Sequence, residues 1–143
     1  MVYLNTGRVP LAFAMLALIG AAAQAQTGKA ADLGKQEYVE NCAVCHGANG
    51  KGGGPYAELL RRTLPDLTQL AKNNGDVLPV NRMYETIEAA DVPSHGTRDM
   101  PIWGLNYRIK AAEYYGDMDY KPEPYVRARI LALIEYINRL QAR

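Results

Sequence analysis

Residues Asn41 to Pro55 read NCAVCHGANGKGGGP and hold both cysteines of the chain. Cys42 and Cys45 stand three positions apart, His46 follows at once, and a glycine-rich run comes next. Three chemistries use such a pair. The thiols can cycle with a disulfide, ligate a metal, or add one each to the two vinyl groups of a haem. A redox pair calls for a βαβ context, and no strand pattern surrounds this segment. A structural zinc site calls for four protein ligands, and His95 is the only other histidine. The haem reading explains every part of the pattern. Two intervening residues let a single turn reach both vinyls, and His46 is then held under the iron as proximal ligand. The spacing predicts one covalently attached haem c.

A second axial ligand separates an electron carrier from a haem that binds gases or peroxide. The candidates are His95, Met83, Met100, Met118 and, weakly, a lysine. Val80, Met83, Tyr84 and Ile87 fall at i, i+3, i+4 and i+7, so Met83 belongs to the buried face of a helix. Met118 lies in a polar, turn-rich stretch with no anchor. Met100 sits in HGTRDMPIWG, where Gly96, Pro101 and Gly104 indicate a loop. Pro101 fixes its own φ and restricts the residue before it, which stiffens the presentation of Met100. Thioether sulfur is a soft ligand suited to low-spin iron, and Met/His ligation raises the reduction potential. Met100 is the expected distal ligand, with His95 its rival. Otherwise His95 is a loop histidine facing backbone or solvent.

The first 25 residues are set aside from the fold. A lone charge, Arg8, precedes an apolar run from Leu11 to Ala23, and Ala23-Gln24-Ala25 is a small-x-small cleavage pattern. This is the layout of a secretory signal peptide, cleaved after Ala25. An uncleaved anchor is the alternative, but the run is short against the roughly 20 residues that span a bilayer. Residues 26–143 then form one domain in the periplasm, with no stable membrane span. The formal charge of the 143-residue chain is +1 and its basic residues are scattered, so nucleic-acid binding has no support.

The order Cys42-x-x-Cys45-His46, glycine-rich loop, Pro65-Asp66-Leu67-Thr68 and Met100-Pro101-Ile102-Trp103-Gly104 resembles a bacterial class I cytochrome c. The resemblance covers essentially all of the chain after the leader. It implies an all-α fold, with helices wrapped around one haem and His46 and Met100 on opposite faces of the iron. It implies that the Pro65 carbonyl accepts a hydrogen bond from His46; a helix-start proline is the plain alternative. Trp103 is expected to pack on the haem and donate its N–H to a propionate, or simply to pack in the core. Arg61, Arg62 and Arg98 could neutralise propionates, and none is singled out. Small residues in GANGKGGGP would leave a haem edge open to redox partners such as a dehydrogenase, an oxidase or a respiratory complex. Two rival functions remain: a dedicated haem subunit of one such enzyme, and a haem enzyme or gas sensor with an open distal site.

The elements that must position these residues are helical. A first helix is predicted over Ala31 to Cys42 with Asp32 as N-cap. A last helix carries Ile130, Leu133, Ile134, Ile137 and Leu140 on one stripe, with Arg127, Arg129, Glu135 and Arg139 on the other faces and Pro122 and Pro124 marking its approach. Gly34 would let these two helices approach closely. Gly34, Tyr38, Leu133 and Tyr136 match the crossing that the resemblance implies. A short helix is expected around Leu67 to Lys72, ended by the Asn73-Asn74-Gly75 turn. The tyrosine-rich stretch from Gly104 to Pro124 is read as an ordered flap with a partner-docking role.

Overall fold

A computed structural model describes residues 31–60, 63–88 and 100–142. The leader, Arg61, Arg62, His95 and Arg98 lie outside the described residues, as does the proposed boundary at residue 25. Among the described residues every regular element is helical. Five α-helices carry the fold: α1 Leu33–Glu37, α2 Ala43–His46, α3 Val80–Glu88, α4 Trp103–Tyr115 and α5 Pro122–Arg139.

Asp32 caps α1 as its sequence position suggests, its carboxylate accepting from the Lys35 N–H at 3.0 Å. The helical run does not stop at Cys42. A wide π turn, Tyr38–Cys42, joins α1 to α2, and the Ala43 N–H donates to the Tyr38 carbonyl five residues back. The wider turn shifts everything downstream by about one residue relative to an unbroken α-helix.

The crossing of α1 and α5 is as expected. A Cβ at position 34 would lie 2.0 Å from the Ala132 carbonyl oxygen and 3.0 Å from the Tyr136 Cβ, so the two backbones meet with no room for a side chain. Tyr38 then packs beside Tyr136, with ring centroids 5.1 Å apart. Leu133 is buried, as are Ile130, Ile134 and Ile137 of the same stripe. These join Tyr38, Cys42, Met83, Ile87, Tyr107 and Val126 in one core. Met83 is therefore a core residue, as its helical spacing indicates. Pro122 opens α5 and Pro124 lies within its first turn, where a missing N–H leaves no helical acceptor unpaired. Arg129, off the apolar stripe of α5, turns inward to Glu37.

Three other expectations are revised. The helix expected over Leu67 to Lys72 is two short 3-10 turns, Leu67–Gln69 and Lys72–Asn74, closed by Gly75. The tyrosine-rich flap is α4, a turn, and the start of α5. Tyr107 is in the core, while Tyr115 stacks on Tyr120 at 4.5 Å and meets Tyr125 edge-on at 6.2 Å, which pins the turn between the two helices. Gly104, read as a loop glycine, is the second residue of α4. A Cβ there would meet the Glu88 carbonyl oxygen at 2.6 Å, so Gly104 admits the end of α3.

Gly34→Ala is expected to destabilise the protein by about 3 kcal/mol or more, because the new methyl meets backbone that cannot swing aside. Gly53→Ala, where an added Cβ meets nothing within 4 Å, should stay within about 0.5 kcal/mol. Guanidinium unfolding of the two variants checks both; equal midpoints would contradict the crossing.

Candidate haem site

Cys42, Cys45 and His46 all lie on the last turns of the run that begins at α1. Cys42 is buried in the core, whereas Cys45 and His46 are half-buried, so the turn bridges interior and surface. Cys42 and Cys45 are not joined to each other by a disulfide. Gly47, with φ +76°, ends α2 and turns the chain back on itself. The loop that follows returns its own N–H groups to the motif: Gly52 donates to the His46 carbonyl at 2.8 Å, Gly54 to Cys45 at 3.1 Å and Tyr56 to Val44 at 2.9 Å. The glycines are thus part of a hydrogen-bonded cradle for the motif. Tyr38 reaches the same place from α1, its hydroxyl donating to the Gly47 carbonyl at 2.7 Å.

A second layer ties this loop to the rest. The Leu67 N–H donates to the Gly50 carbonyl at 2.7 Å. Asp66 caps the 3-10 turn through the Thr68 N–H and hydroxyl, at 2.8 and 2.6 Å. Gln141, just beyond α5, donates to the Leu67 carbonyl at 2.7 Å and accepts from the Ala71 N–H at 2.9 Å. Pro65 is exposed and immediately precedes the Asp66 cap, in the segment whose Leu64 packs against Gly52. Trp103 is the first residue of α4, half-buried against the core that holds Cys42, with its ring 6.4 Å from Tyr107. Met100 is half-buried at the bend that leads into α4. Met118, in contrast, is exposed.

The electrostatics at Cys42 accord with the haem chemistry. Burial pushes the Cys42 thiol up to about 12, and the nearby negative charge of Glu37 adds to the shift. A cysteine that attacks or ligates as a thiolate is favoured by a lowered value. Surroundings this hostile to a thiolate suit an uncharged thioether sulfur. Among the described residues no group of three or more His, Cys, Asp or Glu is arranged to hold a bare metal ion. The donor set therefore fits a haem joined through two thioethers, with an imidazole at the end of the same turn.

The cytochrome c family pattern matches residues 31–141. This chain belongs to the cytochrome c family. As a cytochrome c it is an electron-transfer haem protein, and its cofactor is a covalently bound haem c. A curated relative is the Cbb3-type cytochrome c oxidase subunit FixPc of Rhizobium leguminosarum bv. viciae, 36% identical over 73 residues. The match covers 51% of this chain and 21% of that protein, so the chain spans about a fifth of the relative's length. No solved structure matches.

Glu37 is the residue near the motif of this cytochrome c that motif reading passes over. It is 2% exposed and sits on the stripe of Gly34, Tyr38 and Cys42, at i+3 from the glycine. A charged residue at an apolar position was the available signal.

Tyr38 links the site to alkaline stability. Burial raises its hydroxyl from 10.0 to about 12 in the fold. Between those values the unfolded chain has lost the proton and the native one keeps it, so stability falls as pH rises from 10 toward 12. Tyr38→Phe is expected to lose about 1 kcal/mol at neutral pH with the Gly47 hydrogen bond, and to show a shallower alkaline decline. Unfolding midpoints at pH 8 and 11 read both, and an unchanged decline would assign the titration elsewhere.

Proposed function

We propose that the protein is an exported, single-haem electron carrier of the periplasm, with residues 1–25 removed as a leader and residues 26–143 retained. Cys42 and Cys45 hold the haem through thioethers and His46 is the proximal ligand. Met100 is the distal ligand. The observation that carries this reading is the single helical turn that bears Cys42, Cys45 and His46 within a chain of the cytochrome c family. The haem supplies one-electron exchange between ferrous and ferric iron. The protein's residues supply the rest. The cradle of Gly52, Gly54 and Tyr56 N–H groups keeps the motif backbone fixed, so that the two sulfurs and the imidazole stay in register. Pro65, in the segment bound to that cradle, orients His46 through its carbonyl. Trp103 closes the core side of the site and offers its indole N–H to a propionate. His46 and Met100 would hold the haem from both sides, which would suit one-electron transfer to another protein rather than binding of a substrate.

No helix among the described residues is long and apolar enough to cross a membrane. Likeness to an oxidase subunit makes a terminal respiratory oxidase the first acceptor to test. The same likeness favours a second reading, in which the chain serves as a dedicated haem subunit and co-purifies with one enzyme.

Carbon monoxide added to the reduced protein separates a carrier from a haem enzyme or gas sensor. The wild-type protein should not respond. Met100→Ala should bind the gas readily and lose the weak far-red absorption of methionine on ferric iron. Ready binding by the wild type would exclude Met100 as the distal ligand.

A further inference from the structure

The proposed transfer leaves one buried charge without a role. Glu37 is taken out of water by residues from three parts of the fold. Its Oε2 accepts from Asn41 Nδ2 at 2.9 Å and from the Tyr107 hydroxyl at 3.1 Å, and its Oε1 accepts from the Arg129 guanidinium. The pair is unequal. The Glu37 side chain is 2% exposed and that of Arg129 is 27% exposed, where its guanidinium also lies over the Tyr125 ring at 4.9 Å. The carboxylate is the buried inner end of the pair and the guanidinium its partly exposed outer end, so the core faces the negative end.

Two neighbours register that imbalance. The Tyr107 hydroxyl is pushed up first by burial and then by the Glu37 charge, and the opposing influence of Arg129 is the weakest of those acting on it. At Cys42, Glu37 follows burial among the causes of the upward shift, and Arg129 is not among them. Cys42 lies five residues beyond Glu37 on the same helical run, in the same interior.

We infer that Glu37 is a fixed negative charge that biases the haem held at Cys42 and Cys45 toward the ferric state. Asn41, Tyr107 and Arg129 are its positioning residues. The inference rests on attachment of the haem at that turn. Oxidation releases one electron to the partner and leaves one more positive charge on the haem, and a buried carboxylate close by favours that product. Glu37 thus lowers a potential that methionine ligation raises. A purely structural ion pair would also join α1, α4 and α5, so the test needs a readout that structure alone does not move.

That readout is the midpoint potential of the purified holoprotein, taken by optical titration with mediators and paired with guanidinium unfolding. Glu37→Gln keeps the side chain's shape and an acceptor oxygen and removes the charge. Its ferrous-to-ferric ratio at a fixed poise should rise, on the order of tenfold. The double variant Glu37→Leu, Arg129→Met removes both members together, which is often tolerated or stabilising, and its potential should rise as well. Tyr107→Phe deletes one hydrogen bond and keeps the charge; it should lower stability while moving the potential far less. Covalent haem, a wild-type spectrum and an unshifted potential in both charge-removing variants would overturn the inference and leave the haem site standing. Wild-type protein without covalent haem at Cys42 and Cys45 would overturn both.

Discussion

The approach of α1 to α5 at Gly34 sets the position of everything that follows. With the Gly34 Cα facing the Ala132 carbonyl, α1 can sit against α5 at only one place along its length. Tyr38, one turn on, is then fixed against Tyr136, and its hydroxyl reaches the Gly47 carbonyl beyond the end of α2. Cys42, Cys45 and His46 lie between those two anchors. The reactive turn therefore owes its placement to a backbone contact eight residues upstream of its first cysteine. Apolar burial along α5 supplies the driving force, and the glycine decides the register.

Polar groups complete the arrangement without breaking the core. The loop after His46 satisfies the last carbonyls of the run that carries the motif, which would otherwise be orphaned at a helix end. The segment at Pro65 to Thr68 holds that loop, and Gln141 holds the segment to the end of α5. The terminal helix thus braces both sides of the motif: through Gly34 before it and through Gln141 and Leu67 after it. Glu37 is the exception to an apolar interior. Its removal from water is offset by three donors from separate elements, a costly solution that an electrostatic duty toward the haem would explain.

The chemistry was more legible than the architecture that supports it. Cys42, Cys45 and His46 announce themselves by spacing alone. The α5 stripe is long and periodic, and Gly34 in an otherwise good helix invites a packing explanation that the structure supplies. The flap expected from Gly104 onward is largely the helix α4, whose apolar residues Trp103, Leu105, Tyr107, Ile109 and Ala111 recur at every second position and so mark no helical stripe. Only Gly104, Tyr107 and Ala111 of that helix are buried, and Leu105 and Ile109 face outward. Gly104 beside Pro101 looked like loop punctuation, and its contact with Glu88 across two elements has no local signature. The π turn and the inward path of Arg129 depend likewise on partners distant in sequence.

One haem at Cys42, Cys45 and His46 is proposed to be ligated on both faces by the protein. Low-temperature electron paramagnetic resonance of the ferric protein tests it most directly, because the spin state reports the strength of the axial field. Ligation by both residues should give a low-spin signal from six-coordinate iron accounting for essentially all of the haem. A dominant high-spin signal would mean an open or weakly held distal site, and the reading as an electron carrier would give way to that of a ligand-binding haem protein.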